Sequence, residues 1–132
     1  LASSAISYSD NNYLYSHEFG YDADGLAMNA YIESGGVEIG DGEQFMFVNR
    51  LIPDFEFRGT TASASMNFTM KGKDFPLNSS STLATANVTE NSNQSFIRAR
   101  TRESIIRVES SGTGYGWTLG QLRFDVRPDG RR

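Results

Sequence analysis

The stretch ASASMNFTMKGK, residues 62–73, decides how this chain is read. Ala62, Ala64, Met66, Phe68 and Met70 fall on one side of an extended backbone, and Ser63, Ser65, Asn67, Thr69 and Lys71 fall on the other. A repeat of two is the signature of a strand, whose successive side chains point to opposite faces. One apolar face and one wet face predict a half-buried antiparallel strand.

Working outward, the same period returns. In SFIRARTR (95–102), Ile97, Ala99 and Thr101 form an inner face, with Phe96, Arg98, Arg100 and Arg102 opposite. SIIRVES (104–110) sets Ile106 and Val108 against Arg107 and Glu109. QLRFDVR (121–127) sends Leu122, Phe124 and Val126 inward and Arg123, Asp125 and Arg127 outward. In residues 26–34, Met28, Ala30 and Ile32 share a face. Residues 43–57 fit a helical stripe and a period of two. Their aromatics and Pro53 favour an extended edge strand with a slip, carrying Phe45, Phe47 and then Leu51 inward. Trp117 and Leu119 are expected to pair with 122–126 as a hairpin across Gly120. The polar segment 78–95 reads as a long surface loop around a weak strand at 85–89. Gly-rich and Asp-rich turns separate these segments, and no sustained helical period appears. The expected fold is all-β: one antiparallel β-sandwich domain over 1–132, jelly-roll-like, with little or no helix.

Composition agrees. Nine Phe, six Tyr, four Met and one Trp in 132 residues supply a core, which argues against disorder. With no Cys, neither disulfides nor thiolate metal sites are available. No run of about 18 apolar residues predicts a membrane-spanning helix. The opening LASSAISYSD has neither a basic nor an apolar region of signal-peptide type and does not begin with Met, so the chain reads as a fragment of something longer. Charge is uneven: residues 98–132 hold eight Arg against four acids, and residues 1–97 hold four basic residues against twelve acids. An acidic body with an arginine-bearing end suits a subunit meeting copies of itself better than a nucleic-acid binder. A solvated sheet face kept soluble by arginine accounts for the same pattern.

The motifs that carry chemistry are weak. GTGYG (112–116) lacks the helix and Lys-Ser or Lys-Thr of a phosphate loop. Asp22, Asp24 and Glu33 suggest a calcium loop, but Leu26 and Ala27 stand where an oxygen ligand and a glycine are needed. His17, the single histidine, lies beside Glu18, and neighbours on a strand face opposite ways. No spacing marks a nucleophile or a carboxylate pair, so the chain is expected not to be an enzyme. Tyr13, Tyr15, Tyr31, Tyr115 and Trp117 lie near turns. Tyr115 and Trp117 are the candidates for stacking on a sugar, which gives a jelly-roll carbohydrate-binding module as the alternative reading. Four Asn-x-Ser/Thr sequons, at Asn67, Asn78, Asn87 and Asn93, are expected by chance in such a composition.

Five short motifs recur as a set: Glu33-Ser34-Gly35, Ile39-Gly40-Asp41-Gly42, Arg98-Ala99-Arg100, Gly114-Tyr115-Gly116-Trp117-Thr118-Leu119-Gly120 and Asp125-Val126-Arg127-Pro128-Asp129-Gly130. Together they resemble the C-terminal part of tail and virion structural proteins of short-tailed and related marine bacteriophages, of the tail-tube, nozzle or stabilisation type. The resemblance covers most of 26–132. It implies the C-terminal domain of a longer virion protein, a homo-oligomeric ring in contact with other virion proteins, no cofactor, no catalytic residues and at most passing contact with DNA. Arg98, Arg100, Arg102, Arg123 and Arg127 are the candidate subunit contacts, because a planar guanidinium fork suits carboxylates across an interface.

Overall fold

The computed structural model describes residues 6–8, 14–59 and 63–131. Ala62, Tyr13 and Arg132 lie outside them, so expectations for those three stop at the sequence. Among the described residues twelve strands form: β1 Ile6–Tyr8, β2 Leu14–Ser16, β3 Ala30–Glu33, β4 Val37–Glu38, β5 Met46–Ile52, β6 Phe55–Gly59, β7 Ser65–Lys73, β8 Ser81–Thr89, β9 Ser95–Thr101, β10 Glu103–Ser110, β11 Tyr115–Leu119 and β12 Arg123–Pro128. No helix occurs among the described residues.

One sheet runs β3-β10-β7-β8, with β4 also on β10, and a second runs β12-β5-β9. All pairings are antiparallel. The sheets face each other across a single core, as in a β-sandwich. Met66, Phe68 and Met70 of β7, Val88 of β8 and Val108 of β10 meet Met46, Val48 and Leu51 of β5 and Ile97 and Ala99 of β9. The apolar side of the opening stretch is therefore the floor of the core. Phe68 is fully buried, with its ring centroid 5.7 Å from that of Phe124 on β12. The chain passes between sheets at Thr101, whose hydroxyl lies 3.0 Å from the Lys73 carbonyl and 2.9 Å from that of Glu103. This satisfies a buried polar group at the corner between β9 and β10.

Four expectations are corrected. First, β5 is the central strand of its sheet, not an edge. Both its ladders shift register between Val48 and Arg50: against β12 Asn49 is the extra residue, and against β9 the extra residue lies on β9, where Ile97 and Arg98 face Asn49 alone. The phase is the reverse of that expected at its start: Met46 and Val48 face inward, and the bulge returns Leu51 to the same face. Second, β11 and β12 do not form a hairpin. β11 pairs with β6 and β12 with β5, so Leu119 opposes Phe55 and Arg123 opposes Ile52. The two ladders follow one another around a corner at Asp54. Its carbonyl accepts the Gly120 N–H at 2.7 Å, and its carboxylate accepts the Gln121 N–H at 2.9 Å. Third, half of 78–95 is strand: β8, Ser81–Thr89, pairs along the length of β7 with one register shift opposite Met70 and Lys71. Its inward side chains include Ala84, Ala86 and Val88, too small to announce a strand against so many Ser, Thr and Asn. Fourth, the strand expected over 26–34 shortens to β3, and Met28 and Ile32 remain half exposed.

Gly59 ends β6 at φ 129°, and the Gly114 backbone stands where a Cβ would project. A side chain there is excluded by both conformation and space.

Core and surface substitutions should separate clearly. Phe68→Ala is expected to cost about 3–5 kcal/mol in urea unfolding. Phe96→Ala, on the same sandwich but 71% exposed, should stay within about 0.5 kcal/mol.

Candidate functional site

The outer face of the β12-β5-β9 sheet gathers most of the candidate arginines. The bulge in β5 turns Met46 and Val48 inward and leaves the flanking Phe45 and Phe47 on the other side. Arginines cover those rings. The Arg100 and Arg102 guanidinium carbons lie 3.8 and 4.7 Å from the Phe45 centroid, and that of Arg127 lies 4.8 Å from the Phe47 centroid. Phe45 is thereby 9% exposed although it sits outside the main core. Each such contact is worth roughly 0.5–1 kcal/mol at an exposed site and more when desolvated.

The same arginines hold the C-terminal segment. Arg100 Nε donates to Asp129 Oδ2 at 2.6 Å, and its Nη2 donates to the Asp129 carbonyl at 3.2 Å. Arg102 Nη2 donates to the Arg131 carbonyl at 2.9 Å. Backbone bonds tie the segment to the start of β5: Phe45 N–H to Gly130 O at 2.7 Å and Asp129 N–H to Phe45 O at 2.8 Å. Arg131 Nη2 lies 3.4 Å from Glu43 Oε2 in a pair that stays exposed, so the side chain reaches into solvent as expected while its carbonyl is held by Arg102. Arg102 Nε is buried without a hydrogen-bond partner among the described residues. Its guanidinium lies against Phe45 and also 5.5 Å from the Phe75 centroid, which explains why that nitrogen meets rings rather than oxygens.

The five candidate contact arginines thus separate. Arg100 and Arg102 are engaged within the chain, and Arg127 lies over Phe47. Arg98 and Arg123 are exposed and make no ion pair among the described residues. Asp125, between Arg123 and Arg127, meets Arg50 at 3.3 Å. Phe45, Phe47 and Asp129 are the members of this face that periodicity missed. The available signal was Phe-x-Phe at 45–47 set against Arg-x-Arg at 98–100 and 100–102.

A second charged cluster covers the outer face of the other sheet. Glu33 Oε2 accepts from Lys71 Nζ at 2.7 Å and from Arg107 Nη1 at 3.4 Å. Arg107 Nε donates to Glu109 at 2.8 Å, and its guanidinium lies 4.0 Å from the Tyr31 centroid. The Lys71 hydrogen bond, with Lys71 and Arg107 charge, holds the Glu33 carboxyl below its ordinary value against some desolvation. The Glu109 hydrogen bond chiefly holds the Arg107 pKa above its ordinary value.

The aromatic candidates lie elsewhere. Tyr115 is buried, its hydroxyl donating to the Ser65 carbonyl at 2.7 Å and its ring set edge-on to Phe57. Trp117 is half-buried against the core, and its indole N–H donates to Ser110 Oγ at 2.8 Å. The carboxylates of the calcium-loop reading disperse. Asp22 accepts the Gly114 N–H at 2.6 Å, Asp24 accepts from the Tyr15 hydroxyl at 3.1 Å, and Glu33 belongs to the Lys71 cluster. That Asp22 bond also places a carboxylate on the 112–116 glycine turn, where a phosphate would need free N–H groups. His17 lines an open surface groove with Tyr15, Phe19 and Met28. Among the described residues no three acidic or histidine side chains converge as for a metal ion.

No protein-family model matches this chain, and no curated protein matches it.

Two outcomes follow from this geometry. Arg100→Ala should destabilise by about 1–2 kcal/mol, because it removes a charge-assisted hydrogen bond to Asp129 and uncovers the Phe45 ring. Arg100→Lys should recover only part of this, because an ammonium lacks the fork. In both variants the amides of Asp129 and Arg131 should exchange faster with deuterium. For Glu33 the lowered folded pKa fixes the sign. Its contribution is present above the ordinary carboxylate range and is lost as pH falls through the lowered folded value. Thermal melts from neutral to acid pH should show a smaller acid loss in Glu33→Gln than in the parent.

Proposed function

We propose that this chain is a non-catalytic structural module of a bacteriophage virion, of the tail-tube, nozzle or stabilisation type. In this reading it works in a homo-oligomer beside other virion proteins. The supporting observation is the meeting of two motifs that carry the resemblance. Arg98-Ala99-Arg100 and the 125–130 segment flank β5 on opposite sides, and Arg100 reaches across to Asp129 at 2.6 Å. Segments far apart in sequence thus form one unit at one end of the sandwich. A third motif is tied into the facing sheet: the Ser34 N–H donates to the Ile106 carbonyl at 2.8 Å, and the Ser34 hydroxyl accepts the Ile106 N–H at 3.0 Å.

A conduit for DNA has to carry it without holding it, and a net charge of −4 supports passing contact rather than capture. The carbohydrate alternative relied on Tyr115 and Trp117 as a platform, and a buried Tyr115 ring offers no such surface.

The test is location. An antibody against this chain should label purified phage particles from cultures that carry the gene, and particle proteomics should find its peptides at structural-protein abundance. Confinement to the particle-free lysate would overturn the proposal.

A further inference from the structure

The β12-β5-β9 sheet ends at β12, and among the described residues no strand pairs with its far side. Asp129 N–H is directed to Phe45, so alternation along the strand turns the N–H and C=O of Phe124 and Val126, and the Pro128 carbonyl, toward the open side. Pro128 sits where its missing N–H would otherwise have faced that side. Beside this edge lies an open groove of about 390 Å³, lined by Val37 and Ile39, by Ile106, and by Phe124, Val126 and Pro128. Val37 is 51% exposed and Val126 40% exposed, so both rims of the groove present apolar surface to water.

We propose that this edge is the contact surface for a second copy of the same chain, with β12 pairing antiparallel to its counterpart about a two-fold axis at Val126. Charge complementarity selects this partner. Along the outer face β12 and the next residue read Arg123, Asp125, Arg127, Asp129, alternating in sign. With Val126 opposite the other copy's Val126, Asp125 stands opposite Arg127 and Arg123 opposite Asp129, in both directions. Oppositely charged residues directly across an antiparallel pair stabilise it, and like charges there destabilise it. On the inner face, Phe124 then stands opposite Pro128 and the two valines meet, which brings apolar side chains of each copy to the open groove of the other. Backbone bonding is supplied by a reciprocal pair at Val126 and by each Phe124 N–H to the opposite Pro128 carbonyl. The contact is isologous, since the same residues serve both copies. An isologous pair closes as a dimer and builds no ring by itself, so this contact depends on β12 alone and not on the virion role.

Because the chain has no cysteine, single introduced thiols report the geometry cleanly. The purified chain is expected to dimerise in sedimentation, and Val126→Cys should give a covalent dimer on mild oxidation, while Thr85→Cys on β8 does not. Asp125→Arg and Arg127→Asp should each weaken the dimer about tenfold or more, by placing like charges opposite one another. Mixing the two single variants should restore it as a heterodimer, and the double reversal in one chain should restore it as a homodimer. All four positions are exposed in the single chain, and a cooperative thermal melt in each variant would show that it folds, with a small downward shift where Asp125 leaves Arg50 or Arg127 leaves Phe47. A monomer at every concentration, or a dimer indifferent to both reversals, would overturn the proposal and assign the edge to another chain or to none. Either result leaves the particle-labelling test of the virion reading unaffected.

Discussion

A register shift at Asn49, shared by both ladders of β5, sets the character of both faces of its sheet. With Asn49 left out of the ladder, Met46, Val48 and Leu51 all face the core. The same phase commits Phe45 and Phe47 to the outside. A β-bulge normally bends a strand and re-aims its side chains, and here the re-aimed residues are two large rings that need covering. Arginine does this where lysine would do less. Its flat guanidinium lies on a ring while its N–H groups still bond carboxylates and carbonyls at the edges. Arg100 does both, meeting Phe45 and Asp129 together. The C-terminal segment is held in place as a consequence of a core-packing choice made much earlier in the chain.

That coupling explains what the sequence shows and what it hides. β7, β9, β10 and β12 carry strict alternation over a stable phase, and their inner residues follow directly: Met66, Phe68 and Met70, Ile97 and Ala99, Val108, Phe124. β5 defeats the same reasoning because a period of two cannot locate its own interruption. Its phase is set by pairing partners on two other strands, which are remote in sequence. β8 defeats it differently, since alanine buries little area and gives a faint pattern. The β11 and β12 pairing fails for a third reason. Short linkers suggest hairpins, but Asp54 satisfies Gly120 and Gln121 and carries both ladders around a corner.

The arginine candidates were legible as a set, but not their division of labour. Spacing assigns Arg98, Arg100 and Arg102 to one face equally. Only the folded C-terminus decides that Arg100 and Arg102 turn inward on the chain while Arg98 remains exposed. The same holds for the charge asymmetry between the two parts of the sequence. An excess of arginine near the C-terminus suggests a basic surface, yet much of it meets aromatic rings, Asp129, Glu109 and backbone carbonyls. What remains for outside contacts is narrower: Arg98 on β9 and Arg123 on the β12 edge are exposed and without ion pairs among the described residues, while Arg127 lies over Phe47.

An open edge is a hazard unless something restricts what joins it. Charge order supplies the restriction on β12. Sliding the two-fold pairing by one step along the outer face, in either direction, sets arginine opposite arginine and aspartate opposite aspartate. A shift of a single residue is worse, because it turns every side chain to the wrong face and exposes Phe124 and Val126. Pro128 then limits the strand further, since a neighbour extending past it finds no N–H to bond. Three local features, alternation of sign, alternation of hydropathy and one proline, therefore leave a single favourable register. The proposed self-pairing would thus use an edge whose charge order disfavours the indiscriminate pairing that leads to aggregation.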